Sequence, residues 1–552
     1  MTKPFHGQLL GRRQVRAGII SGAAVMAGMA VSIGAAVYAL LAAAAEFSSG
    51  TDPVFTAYIW SVTRFTLLQA CLSTIISIGL AIPLARAIAR RQAFAGRKWL
   101  LRLLAVPIGL PPIVAALGLI EIWGRQGIVN HALIALGMDS PVSIYGLAGI
   151  LIAHVFFNMP LAARLLVSQL ERVPAEHWRN ASQLGLGQWA VFRLIEWPFM
   201  RSHLPAVSGL VFMLCITSFT LVLLLGGGPA ATTIEVAIYQ ALRFDFDPQR
   251  AVILALIQLL LTAFLLLILT MIGGSPDEQA TLGQAAKRYP GRGVAARFFD
   301  YGLIGLCALF LLAPLVSIAI SGLSADFVRL LNEPVVWRAI FTSLAIAAIA
   351  ALISVSIAAT LVRARYAAMP LAYDYPWARA FRLSASGASS LVLLVPPIVL
   401  GAGWFVLLRN RADIFAVAPF IVITINAMMA LPFTVRVLEP AHTTHMARTA
   451  RLSSALGIGG LDRLRLIDWP GMRRSFLLAM AFAMALSLGD LGAIALFGSQ
   501  ELITLPYLLL QRMGSYRTND AAGLALILGI VCLVLMIFAD QGRKSGEAGA
   551  QL

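Results

Sequence analysis

The sequence predicts an all-α polytopic membrane protein, with about 12 transmembrane helices arranged as two homologous six-helix halves. Three observations carry that prediction. The 552 residues are 59% hydrophobic and only 12% charged, so a soluble fold could not cover its apolar surface with the charges available. Apolar runs of about twenty residues recur at 19–44, 65–86, 99–122, 144–168, 203–226, 251–272, 299–321, 339–361, 385–408, 413–435, 476–498 and 521–539. A polar stretch between two such runs, WRNASQLGLGQWAVFRLIEWPFMR at 178–201, returns as ARLSSALGIGGLDRLRLIDWPGMR at 450–473. Gly185 and Gly457, Ile195 and Ile467, Pro198 and Pro470, and Arg201 and Arg473 are each 272 residues apart, one register without a gap.

The net charge of +17 suggests nucleic acid until the charges are placed. With the N-terminus inside, only ten of the 42 Lys and Arg fall on the outer side, leaving 32 on the cytoplasmic side. That bias fixes the orientation: both termini and both repeated stretches face the cytoplasm. The four cysteines, at no metal or redox spacing, read as small hydrophobes buried in spans. The first apolar run, preceded by Arg12, Arg13 and Arg16, is too long for a signal-peptide core and reads as an uncleaved anchor.

In order, a basic tail (1–18) leads to the first half (19–272), whose cytoplasmic loop covers 171–201. The basic turn between the second and third spans, ARAIARRQAFAGRKW, reads as a topology signal lying against anionic lipid. The third span carries Pro107, Pro111 and Pro112 and the ninth carries Pro396 and Pro397, with PPIV in both. Such prolines free backbone carbonyls, which suits either a wall of a water-lined path or a packing kink. His154 and Asn158 lie four apart on one face of the fourth span and should point into the bundle, for structural bonding or for cargo. The step from Pro160 to Arg164 recurs as Pro432 to Arg436, so the repeat covers a membrane span as well as its loop. After Gly226–Gly228, residues 234–242 are apolar enough to lie in the membrane interface.

A linker rich in Gly, Pro and basic residues (273–297) separates the second half (298–540), with its own loop at 441–473, before the tail 541–552. Asp490 is the only acidic residue well inside an expected span, and a cationic ligand would suit it. The alternative is a carboxylate near the outer end, capped by neighbouring backbone.

Each copy of the repeated stretch reads as two short helices and a hinge. The first should stop at Leu184 or Leu456, because Gly185 or Gly457 can take the left-handed turn. The second carries an apolar stripe, Trp189, Phe192 and Ile195 in one copy and Leu461, Leu464 and Ile467 in the other. Three apolar residues cannot hold so short a helix alone, so the stripe must be buried against something. The Trp before Pro198 or Pro470 is expected to leave helical geometry, ending that helix, with the proline starting the next.

The spacing Gly, nine residues, Ile, two residues, Pro resembles the cytoplasmic coupling loop of ABC importer permeases of the bacterial binding-protein-dependent class. Where that family has Glu-Ala-Ala, this chain has Arg179, Asn180, Ala181 and Arg451, Leu452, Ser453, so the acidic lead is missing from both copies; Glu176 stands nearby. Five longer strings, WGRQG, YGLAGILIAHVFFNMP, LGGGPAATTIEVAIYQALRFDFDP, LSLGDLGAIALFG and TLPYLLLQRMGSYRTNDAA, resemble the fused permeases of thiamine (thiamine pyrophosphate) importers. The resemblance implies the type I permease fold, two six-helix halves around a pseudo-twofold axis. It implies as partners a periplasmic thiamine-binding protein and two copies of a separate ATPase, which fits the coupling helices into its grooves.

On this reading the chain is a transport subunit and not an enzyme, with ATP and magnesium on the partner and no cofactor or metal of its own. No G-x-x-x-x-G-K-S/T phosphate loop occurs in the sequence, so a pump of this plan must borrow its ATPase. Two alternatives remain open at this stage: an importer for another small substrate such as ferric iron, and a gradient-driven secondary transporter built from two six-helix repeats. Ionisable residues at membrane depth are scarce, Asp490 and His154 almost alone, which counts against the second. An integral membrane enzyme finds no support, since neither a metal-spaced cluster nor a nucleophile with a base is visible.

Overall fold

The computed structural model describes residues 12–47, 57–92, 94–272, 294–409, 413–458 and 460–548. Every regular element among them is a helix. Most of the expected linker, 273–293, lies outside the described residues, as do the ends of both tails.

Among the described residues, ten helices are long and apolar enough to cross a membrane, or eleven if one bent pair counts as a span. Two of the expected spans are broken, so continuous helices do not reach the expected count of about 12. Residues 188–216 form two helices, Gln188–Arg201 and Leu204–Ile216, bent by 56°. The expected span 385–408 divides before its double proline. Pro396 is extended (φ −57°, ψ 151°) because a residue preceding proline is driven from helical geometry, and Pro397 starts a new helix of 12 residues, Pro397–Leu408. At 1.5 Å per residue that helix covers about 18 Å, too little for a hydrocarbon core of about 30 Å. Pro111 and Pro112 act in the same way, so helix Pro112–Trp123 starts at the second proline.

The chain packs as two compact units, and their membership does not follow the two halves. One unit holds Pro53–Ala237 with Leu260–Ala325; the other holds Met1–Asp52, Ile238–Leu259 and Asp326–Leu552. In the first unit, helix Val294–Leu323, which opens the second half, packs against Ala57–Arg90 and Pro112–Trp123. In the second unit, helix Arg12–Phe47 packs against Pro334–Ala368 and Pro397–Leu408. Each half has given its opening helix to the other.

Glycine makes both exchanges tight. A Cβ on Gly118 would stand 2.6 Å from the Pro314 carbonyl oxygen, and one on Gly403 would stand 2.6 Å from that of Ala36. These glycines are 285 residues apart, the spacing that also separates Pro111 from Pro396. In an apolar solvent, helices associate through such close backbone approach, since lipid supplies no hydrophobic drive between them. Gly403→Leu is expected to cost about 1–3 kcal/mol by overpacking. The readout is a lower unfolding midpoint of the purified protein. Gly79→Leu, where nothing lies within 4 Å, should leave that midpoint unchanged.

Two further expectations are corrected. Residues Ile234–Arg243 form a helix buried along most of its length, with Ile234, Ile238 and Ala241 fully covered, and so do not lie in the interface. Its apolar character reflects protein packing, with the Ile234 amide donating to Thr66 Oγ1 at 3.0 Å. Cys71 is exposed, unlike Cys215, Cys307 and Cys532. On a membrane helix an apolar side chain faces lipid as readily as core, so composition alone could not separate them.

Candidate functional site: two hinged segments and a polar pocket

The hinge forms twice with the same bonds. Helix Ala175–Gln183 ends at Leu184, Gly185 turns left-handed (φ +62°), and the amides of Gly185 and Leu186 donate to the carbonyls of Ser182 (3.3 Å) and Ala181 (3.0 Å). In the second copy Gly457 (φ +65°) and Ile458 donate to Ser454 (3.2 Å) and Ser453 (3.0 Å). These are the paired bonds of a Schellman C-cap. The first helix is short only in the first copy. Pro174 interrupts the chain there, whereas the equivalent position is Met446, and helix Ile414–Ala455 continues for 42 residues.

Beyond the hinge the structure corrects the sequence reading. Trp197 and Trp469 keep helical dihedrals (φ −61°, ψ −46° and φ −63°, ψ −52°), and neither helix ends before its proline. Phe192–Glu196 and Leu464–Asp468 instead form a π-turn running directly into the helix that Pro198 or Pro470 begins. The wider turn absorbs the missing proline N–H without a break.

The predicted stripes divide between cover and exposure. Ile195 is buried within the segment's own cluster with Val173, Trp178 and Ala181. Phe192 is half-buried and sandwiched: its ring lies 5.4 Å from Trp189, 5.9 Å from Trp197, and 3.9 Å from the Arg86 guanidinium carbon. Trp189 remains 71% exposed. In the second copy Leu464 is exposed and Ile467 half-buried, while the side chain of Leu461 lies outside the description. Leu184 with Leu456, Leu194 with Leu466, and Trp197 with Trp469 are exposed in both copies. The stripe argument missed the two leucine pairs, because it followed only every third residue. Their signal was present as apolar identity at positions 272 apart.

A charge network ties the first segment to two helices. Glu196, on the π-turn and 1% exposed, meets Arg86 Nε at 2.6 Å and Arg90 Nε at 3.6 Å, both from helix Ala57–Arg90. Arg90 and Arg91 in turn reach Asp300 of helix Val294–Leu323 at 3.9 and 2.9 Å. The equivalent Asp468 is held instead by His445 (3.0 Å) and Arg463 (3.6 Å) of its own segment.

The intramembrane residues sit as follows. His154 is buried, its Nδ1 2.8 Å from Ser73 Oγ, and Asn158 donates to Cys215 Sγ at 3.3 Å. Those two belong to one unit and Asp490 to the other. Asp490 stands where helix Trp469–Gly489 breaks before Gly492–Phe497, and it lines a small pocket with Ser343, Asn426, Ser487 and Thr504. Pro111, Pro112, Pro396 and Pro397 set helix starts, as described above. Among the described residues no group of three or more His, Cys, Asp or Glu could hold a metal.

Comparison with known proteins adds relatives of matching length. Residues 77–275 match the family described as binding-protein-dependent transport system inner membrane component. The chain is 52% identical over 526 residues, 95% of each sequence, to the thiamine transport system permease protein ThiP of Brucella abortus. It is 43% identical to the protein of that name from Escherichia coli, over 88% of this chain and 89% of the relative. It is 37% identical to the one from Haemophilus influenzae, over 89% and 90% respectively.

Proposed function

The chain belongs to the thiamine transport system permeases of the binding-protein-dependent class, and from that premise we propose that it carries thiamine or its phosphates across the bacterial inner membrane. A soluble binding protein delivers the cargo to the outer face. A separate ATPase dimer, with ATP and magnesium, works the two hinged segments from the cytoplasm. Both termini face that compartment, as the placement of Lys and Arg supports. Trp189, Phe192 and Pro198, with Leu461, Leu464, Ile467 and Pro470, build the coupling surface, Gly185 and Gly457 set its hinges, and Ile195 packs beneath the first copy. His154, Asn158, Asp490 and the paired prolines are candidates for the cargo path.

The observation that carries this reading is the pair of exposed apolar faces on capped segments repeated in one register. A helix offered by its apolar face fits a groove on a partner. The cycle is mechanical: nucleotide-driven closure of the ATPase pair displaces both segments and shifts the population between inward- and outward-open arrangements. No bond of the cargo breaks, so no catalytic residue is required of this chain.

The experiment is deletion of the chain in a strain unable to synthesise thiamine. Growth on limiting thiamine should fail and return on re-expression, and uptake of labelled thiamine should stop on ATP depletion while surviving an ionophore. Uptake that ionophore abolishes and ATP depletion spares would assign a gradient-driven carrier instead.

A further inference from the structure

We infer that the pocket at Asp490 holds a single compact positive charge. Its polar lining is made of oxygens: the Asp490 carboxylate, the Asn426 amide oxygen and the hydroxyls of Ser343, Ser487 and Thr504. Asn426 spends its amide N–H groups on the Ser487 hydroxyl (2.9 Å) and carbonyl (3.4 Å), which leaves its Oδ1 buried without a partner. Thr504 Oγ1 is also buried without one, and Asn426 and Thr504 are only 4% and 5% exposed. Ser343 Oγ already accepts the Leu505 amide at 2.7 Å. The Asp490 carboxylate receives only long bonds, 3.3 Å each, from the Gly492 and Ala493 amides. Among the described residues no Lys, Arg or His forms an ion pair with it. A half-buried carboxylate among apolar helices gains from a cation, and two long amide bonds are the only compensation found for it among the described residues.

The duplication provides an internal control. Subtracting 272 from Asn426, Ser487 and Asp490 gives His154, Cys215 and Ser218. Ile234 and Leu505, whose amides donate to the equivalent hydroxyls of Thr66 and Ser343, are 271 apart, which sets Thr504 against Thr233. The first half repeats the polar shell with Ser218 in place of Asp490 and sets its own buried carboxylate, Glu235, opposite the pocket-lining Pro506. It also breaks its helix at the same place, after Ile216, with Ser218 standing where the second half has Asp490. The break does not require the acid, so the acid has another use.

Its size and donor type narrow the occupant. The pocket admits about one water-sized group, its donors are hard oxygens, and it carries one negative charge, which together suit a monovalent cation and not a divalent one. Sodium fits that space; the thiazolium ring of thiamine is several times larger and is the other outcome of the test. The second source rests on the thiamine reading; the first does not.

The test uses the full chain with its ATPase in nanodiscs, without binding protein, probed separately with ²²Na⁺ and with radiolabelled thiamine. Saturable 1:1 binding of either probe that weakens at least tenfold in Asp490→Asn supports the site and tells which source fills it. Asn426→Leu, which keeps the carboxylate, should weaken the same probe and guards against a folding defect in the first variant. Binding of neither probe, or equal binding by wild type and Asp490→Asn, overturns the inference. ATP hydrolysis stimulated by thiamine-loaded binding protein is measured on the same preparations. Stimulation without cation binding sinks the pocket alone. Sodium binding without stimulation supports the pocket and sinks the thiamine reading.

Discussion

Trp189→Glu combined with Leu466→Glu is expected to abolish recruitment of the ATPase and, with it, transport. Trp189 is 71% exposed and Leu466 is 65% exposed, so neither change removes much packing within this chain. At an interface, a large apolar anchor that is buried on docking costs about 2 kcal/mol or more when lost, about 30-fold in affinity. Two such losses on separate segments should approach a thousandfold. Co-purification of the ATPase with the variant, alongside the unfolding midpoint of the permease alone, checks both halves of the statement. Normal recruitment by a folded variant would remove the docking assignment. The single changes should each give an intermediate loss, because the two faces are separate and repeated.

Glu196→Ala is expected to destabilise the protein by about 3 kcal/mol, the larger of two related effects. It strips a partner from Arg86 and Arg90, whose side chains are only 21% and 17% exposed, and breaking a buried pair leaves an uncompensated charge. Asp468→Ala at the equivalent position should cost less, about 1 kcal/mol. Its partners His445 and Arg463 lie in its own segment, and Asp468 is itself more exposed. Thermal unfolding of both variants in the same detergent decides the order. The functional corollary follows from where Glu196 sits. It joins the first segment to helix Ala57–Arg90 and, through Arg90 and Asp300, to helix Val294–Leu323. A folded Glu196→Gln protein should therefore hydrolyse more ATP per thiamine moved. An unchanged ratio would mean that the network braces the fold and transmits nothing.

What could be read in the sequence was local or periodic. Gly185 and Gly457 announced the hinge because a helix end that turns left-handed selects glycine, and both take positive φ. The double prolines announced their kinks for the same kind of reason. The π-turn before Pro198 was not legible. A proline can end a helix or widen it, and the choice depends on the packing of Ile195 and Met200 beneath. Hydropathy runs on across a break, so the divided helices at 385–408 were not legible as such. Long-range pairings were out of reach: Arg86 and Glu196 are 110 residues apart, and Arg91 and Asp300 are 209 apart. Asp490 stood out in sequence, but its oxygen-lined surroundings became visible only when Asn426 and Thr504 came beside it.

The exchange of opening helices bears on how the molecule is made. Helix Arg12–Phe47 leaves the ribosome well ahead of its neighbours Pro334–Ala368 and Pro397–Leu408, which follow some three hundred residues later. At the elongation rates typical of cells, about 5–20 residues per second, it would wait a quarter of a minute or longer in the bilayer before it could dock. Neither half, synthesised alone, could complete its own packing, so joining both in one polypeptide guarantees that each meets its missing helix at one copy per partner.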